Sequence, residues 1–206
     1  MEWGDRMKLI MDSIMETHQM VSNLIHQTEP IQALEKAAWE CVKAIENGNK
    51  IFFMGNGGSA AESQHLAAEL VGMFLKSRKA LPAIALTTDT SILTAIGNDF
   101  GYEEVFSRQL EALAKKGDVA IYFSTSGTSK NVVHAMETAF DMGLVNIAFT
   151  GENPRDMQHF AHQCIKIPSS RTPQIQEGHL ILGHILCECI EQSLYGKREN
   201  LSTLSD

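Results

Sequence analysis

The chain has 206 residues, enough for one domain of the usual roughly 100–200 residues with a core that needs no staples. Its formal charge of −8, from 17 basic and 25 acidic residues, argues against a protein held to nucleic acid or an anionic membrane by non-specific attraction. A small anionic substrate stays open, because backbone amides bind phosphate in an acidic protein as well as in a basic one.

In chain order, the opening stretch is charged throughout and has no continuous apolar run of the signal-peptide kind, so a cytoplasmic location is expected. Residues 4–48 read as two helices. Met7, Ile10, Met11, Ile14 and Met15, then Val21 and Ile25, recur at helical spacing, and Pro30 opens the second segment. A methionine stripe of this kind is ordinarily a packing face, here for the chain's own sheet or for a partner subunit. From residue 50 short apolar runs alternate with longer helical segments. Strands are expected over 50–54, 83–87, 119–123, 145–150 and 164–167, and helices from about residues 59, 90, 102 and 129. A last long helix is expected over 173–195. This alternation predicts an α/β fold: a three-layer α/β/α arrangement around a parallel sheet of about five strands, preceded by helices. The expected segments are 1–48, helical; 49–196, the α/β core with the last helix; and 197–206, a polar tail. The longest apolar stretch, "HLILGHILCECIEQ", is broken by His184, Glu188 and Glu191 and is no membrane span. Cys41, Cys164, Cys187 and Cys189 have no disulfide-framework density, and Cys187 and Cys189 miss the CxxC spacing. They are expected to be buried thiols in a reducing compartment.

Two loops at strand-to-helix junctions carry the functional signal. Gly55-Asn56-Gly57-Gly58-Ser59 leaves the first strand and opens a helix, where glycines allow close backbone approach and the helix start offers unpaired N–H groups. Ser124-Thr125-Ser126-Gly127-Thr128-Ser129 does the same after the third strand, with five hydroxyls in six residues. Capping needs one hydroxyl, from Ser129 or Thr128, which leaves the others to cradle phosphate oxygens. Neither loop has the lysine of a P-loop. The first satisfies a loose GxGxx[GA] dinucleotide pattern, but the acidic Asp89 comes 34 positions after Gly55, too far for that unit. His65 and Glu69 share one face of the helix after the glycine loop. Gln176, His179 and His184 lie on the last helix, where spacing alone pairs Gln176 with His179, while which histidine faces the site stays open.

Taken together, "GNGGS", "QHLAAEL", "LPAIALTTDTSILTAIGNDFGYEEVFSRQ", "STSGTS" and "QIQEGHLILGHIL" resemble the sugar isomerase (SIS) domain superfamily and, within it, the phosphoheptose isomerase family, over residues 30 to 195. The resemblance implies a single SIS domain over 1–206 that isomerises D-sedoheptulose 7-phosphate to D-glycero-D-manno-heptose 7-phosphate for bacterial lipopolysaccharide precursors. It implies a Zn2+ site of His65, Glu69, Gln176 and His184, with Glu69 and His184 as acid and base, and His179 outside the ligand set. Substrate contacts are implied for Asn56, Gly57, Gly58, Ser59, Glu69, Asn98, Asp99, Ser124, Thr125, Ser126, Ser129 and Gln176. It also implies a homotetramer, with no nucleic-acid or membrane partner. Thr128 departs from the family's usual STSGNS. The alternative is a non-enzymatic SIS-domain protein that associates with the replication initiator DnaA, a branch that lacks the residues matching Glu69 and His184.

Overall fold

The computed structural model describes residues 3–196. The expected polar tail over 197–206 lies outside the described residues. Five parallel strands form one sheet: β1 (Ile51–Gly55), β2 (Ala83–Ala85), β3 (Val119–Ser124), β4 (Val145–Thr150) and β5 (Gln163–Lys166). They lie in the order β2-β1-β3-β4-β5. The chain steps from β1 outward to β2 and then back across to β3, so the direction of winding reverses between β1 and β3. Ligands on such sheets bind beyond the carboxyl ends of the strands at this reversal.

Period-two alternation divides the core between the two faces. Ile51, Phe53, Ile121, Phe123, Ile147, Phe149 and Ile165 point to one side. There they meet α2 (Thr28–Glu46), α3 (Gly58–Val71) and α7 (Thr172–Tyr195). Phe52, Met54, Ala120, Tyr122 and Ala148 point to the other. That face is covered by α5 (Ser107–Leu113) and α6 (Lys130–Asp141). The result is the expected α/β/α sandwich.

Strand limits differ from the sequence reading by two residues at most. β2 is short because it lies at the sheet edge, and the chain turns away after Ala85. The segment expected as a helix from about residue 102 is a 3-10 turn, Tyr102–Glu104, with α5 following at Ser107. The second N-terminal helix starts before Pro30, which sits inside the first turn, where its missing N–H costs nothing.

The two N-terminal helices behave differently. α2 buries Ala33, Leu34, Ala37, Ala38, Cys41 and Ala44 against the chain's own sheet. α1 (Trp3–Ile25) buries only Met20 and Leu24, and leaves Met7, Ile10, Met11, Ile14 and Met15 more than half exposed. α7 likewise buries Leu182 and Leu186 internally, leaving Ile181 and Ile185 partly exposed. Its apolar character is therefore largely spent within this chain. α4 (Thr90–Asp99) contains no buried residue despite its apolar sequence. Among the described residues no helix is long and apolar enough to cross a membrane.

Candidate active site

Parallel pairing of β1 with β3 places Gly55 beside Phe123, so the glycine loop and the serine loop leave adjacent strand ends. Gly55 is sterically required: a Cβ there would stand 2.8 Å from Ser59 Cβ and 2.9 Å from the Phe123 carbonyl oxygen. Gly57 precedes α3 with a φ of 58°, which glycine adopts at little cost. A Cβ on Gly58 would fall 2.5 Å from Gln176 Nε2, so the bare glycine lets the α7 amide rest on the head of α3.

Asn56 joins the two loops. Its Nδ2 donates to Asn131 Oδ1 at 2.8 Å, and Asn131 Nδ2 donates back to Asn56 Oδ1 at 2.9 Å. Tyr102 Oη donates to the same Asn56 oxygen at 3.3 Å. Sequence reading missed Asn131, although its place in the first turn after the serine loop was a usable signal.

The serine loop closes on itself. Ser124 Oγ lies 3.0 Å from Ser129 Oγ and 3.4 Å from Ser126 Oγ, and it accepts the Gly127 N–H at 3.2 Å. Ser126 Oγ accepts from both the Thr128 N–H and the Thr128 hydroxyl at 3.2 Å. Ser129 is the N-cap of α6, yet its side chain makes no capping bond. Of the two capping candidates, Ser129 or Thr128, Ser129 is therefore not used as a cap: its Oγ turns into the loop to meet Ser124. Gly127, at φ 69°, passes against the Pro154 carbonyl, where a side chain would collide. On its outer flank Thr125 and Ser126 border a cleft of about 270 Å³, also lined by Gly151, Asn153, Arg155 and Ser169.

The α3–α7 seam holds the titratable cluster. A Cβ on Gly183 would lie 2.6 Å from Leu66 Cδ1, so this glycine lets the two helices approach and carries its neighbour His184 up to His65. His65 Nε2 and His184 Nε2 stand 2.7 Å apart, and His65 Nε2 is 3.3 Å from Glu69 Oε1. One donor atom from each of His65, Glu69 and His184 lies within 4.8 Å of the others. Phe74 stacks on His184 at 5.7 Å, with the rings 17° apart.

His179 goes elsewhere. It is fully buried between the Phe123 and Phe149 rings, with Nδ1 3.8 Å from Glu62 Oε2 and both ring nitrogens without a hydrogen bond. The spacing preference for Gln176 with His179 fails because His179 turns onto the sheet, whereas the Gln176 amide lies against the head of α3. His184 is on the face that meets α3.

Asn98 and Asp99 sit exposed at the end of α4, where Asn98 Nδ2 donates to Asp99 Oδ1 at 2.7 Å. Among the described residues no hydrogen bond ties either to the cluster or to the serine loop. Asp89 is used structurally, accepting the Ile92 N–H as the N-cap of α4. Cys41 and Cys187 are buried, whereas Cys164 and Cys189 are half-buried, which corrects the uniform expectation. Burial pushes the Cys187 thiol up to about 12, with the Glu69 carboxylate adding to it. Burial raises Cys41 further still. Neither offers a thiolate for chemistry.

A family described as "SIS domain" matches residues 15–151. The phosphoheptose isomerase of Burkholderia pseudomallei (strain 1710b) is 47% identical over 189 residues, covering 92% of this chain and 96% of that protein. That of Aquifex aeolicus (strain VF5) is 56% identical over 149 residues, covering 72% and 78%. Among solved structures, the phosphoheptose isomerase from Neisseria gonorrhoeae superimposes with a TM-score of 0.84 at 38% identity, over 90% of this chain and 98% of the other. The one from Francisella tularensis gives 0.83 at 33%, over 93% and 100%.

Proposed function

The chain belongs to the SIS-domain phosphoheptose isomerases, and from that membership we propose how its own residues carry the reaction. It is an aldose–ketose isomerase converting D-sedoheptulose 7-phosphate to D-glycero-D-manno-heptose 7-phosphate. The phosphate is held by the hydroxyls of Ser124, Thr125, Ser126 and Ser129 at the start of α6, where the helix end favours an anion. Asn56, Gly57, Gly58, Ser59, Gln176, Asn98 and Asp99 contact the sugar. The phosphate anchor fixes the distant C1–C2 end beside Glu69.

Glu69 removes a proton from C1 of the ketose and returns it to C2 through an enediolate. His184 gives a proton to O2 and accepts one from O1, so no net charge is gained. A base within hydrogen-bond reach contributes typically 10²–10⁴-fold, on the order of what one carboxylate supplies. The observation that carries this reading is the convergence of His65, Glu69 and His184 donor atoms within 4.8 Å.

Two imidazole nitrogens facing each other beside a carboxylate are also a donor set that fits Zn2+. His65, Glu69 and His184, with Gln176, would hold the ion. When bound it supplies Lewis-acid polarisation of the sugar oxygens.

A homotetramer belongs to the same proposal. Its support is the exposed apolar face of α1, the unburied α4 and an open groove lined by Ile14 and Thr17 of α1 and Pro173 and Glu177 of α7. Closed point-group symmetry is the default for such assemblies. A cytoplasmic location and a role in lipopolysaccharide precursor synthesis complete it. The test is incubation of the purified chain with sedoheptulose 7-phosphate, followed by NMR. Appearance of the aldoheptose phosphate is expected, and an unchanged ketose would overturn the reading.

A further inference from the structure

α3 ends at Val71, which leaves the carbonyls of Glu69 and Leu70 without partners inside the helix. Arg78 donates to both, beside the Leu81 N–H that also reaches the Leu70 carbonyl at 3.0 Å. Its Nη2 donates to the Glu69 carbonyl at 2.8 Å and its Nη1 to the Leu70 carbonyl at 2.8 Å. The same guanidinium donates through Nε to Glu191 Oε1 at 2.8 Å, and Glu191 Oε2 accepts the Leu75 N–H at 2.9 Å. Both charged side chains are fully buried.

Three parts of the site meet at this pair. Arg78 holds the backbone of Glu69 itself, as a cation at a helix C-terminus, where the dipole favours it. Glu191 lies on α7 seven residues beyond His184, two turns along the same face. Leu75, fastened by Glu191, directly follows Phe74, whose ring stacks on His184. One ion pair thus ties together the helix end that bears Glu69, the loop that backs His184 and the helix that bears His184.

A buried pair of this kind is a poor device for stability alone, because desolvation offsets much of its attraction. What a forked guanidinium supplies is direction: several bonds of fixed length and angle from one rigid plane. We propose that Arg78 and Glu191 are positioning residues for the isomerisation, a clamp that sets the Glu69 carboxylate and the His184 ring in register. This rests on the reading of Glu69 as the proton carrier. The serine loop, on β3 and α6, is outside the clamp, so phosphate anchoring is left alone.

The experiment uses Arg78→Lys and Glu191→Gln in the full chain. Arg78→Lys keeps a buried cation opposite Glu191 but cannot reach both carbonyls, so it tests the fork without leaving an unpaired charge. It also remains informative where Glu191→Gln does not fold. With folding checked by thermal unfolding, kcat for sedoheptulose 7-phosphate is expected to fall about tenfold or more with KM within about twofold, since misplacement of a reacting group by ~1 Å can cost 10²-fold. In a Glu69→Gln background Arg78→Lys should cost almost nothing further, because the carboxylate that the fork sets through the Glu69 carbonyl is gone, while the lysine keeps the pairing with Glu191 that backs His184. A lowered Tm with unchanged kcat, or a loss that multiplies in full with that of Glu69→Gln, would overturn the clamp. If Glu69→Gln alone leaves kcat intact, it is the assignment of Glu69 that fails, and the clamp falls with it.

Discussion

Replacement of Gly183 by alanine tests the idea that the closeness of α3 and α7 makes the site. The new Cβ would stand 2.6 Å from Leu66 Cδ1 and 3.0 Å from Cδ2, against the ~3.5–4.0 Å of a relaxed carbon contact. Leu66 is fully buried, so its methyls have no solvent side to swing into. The helices must then part by about 1 Å. Overpacking of this kind costs roughly 1–3 kcal/mol. Gly→Ala inside a helix returns about 1 kcal/mol of propensity. The net change in stability is therefore small, at most ~2 kcal/mol. Catalysis should suffer more, because the same ~1 Å separates His184 from His65 and Glu69, a displacement that can cost on the order of 10²-fold. The assay pairs kcat and KM on sedoheptulose 7-phosphate with Tm from calorimetry. The expected signature is a kcat lowered at least tenfold with a near-normal Tm and KM. Wild-type kcat in a normally folded Gly183→Ala protein would refute the reasoning.

Other outcomes follow from the same geometry. Ser124→Ala combined with Ser126→Ala should raise KM strongly while kcat changes little, and inorganic phosphate should compete with substrate and raise the Tm of the wild type; absence of both phosphate effects would remove the anchor. Cys41 and Cys187 should resist alkylation in the native protein at pH 8 and react only on unfolding, as read by mass spectrometry. Their raised folded values keep the native state protonated where the unfolded chain ionises, so their contribution to stability is intact below about pH 9 and is lost as pH rises toward about 12. Deletion of residues 1–26, which removes α1 and its exposed apolar face, should give smaller, inactive or aggregating species by light scattering, whereas a stable active monomer of the intact chain would contradict the assembly.

How much of this was legible in the sequence depends on how local each signal is. β1 and β3 were readable because fully buried parallel strands are nearly continuous apolar runs with turn residues nearby. The glycine and serine loops were readable for the same reason, since strand, loop and helix follow one another in the chain. The choice between His179 and His184 was not. It depends on which stripe of α7 meets α3 and which meets the sheet, and Gly183 against Leu66 decides that only once both helices are in place. How far each terminal helix is satisfied within the chain was not legible either: Leu182 and Leu186 of α7 find partners inside the chain, whereas Met7, Ile10 and Ile14 of α1 do not. Arg78 and Glu191, 113 positions apart, left no mark at all in a linear reading, because either residue alone resembles an ordinary charged surface residue.

The central claim is that Glu69 and His184, and not His179, move the protons. It is tested most directly by kcat of three single variants, Glu69→Gln, His184→Gln and His179→Gln, each confirmed to be folded. The account predicts at least ~10²-fold loss for the first two, the low end for general acid–base catalysis, and most of the activity retained in the third. Equal loss at His179 with none at His184 would contradict it.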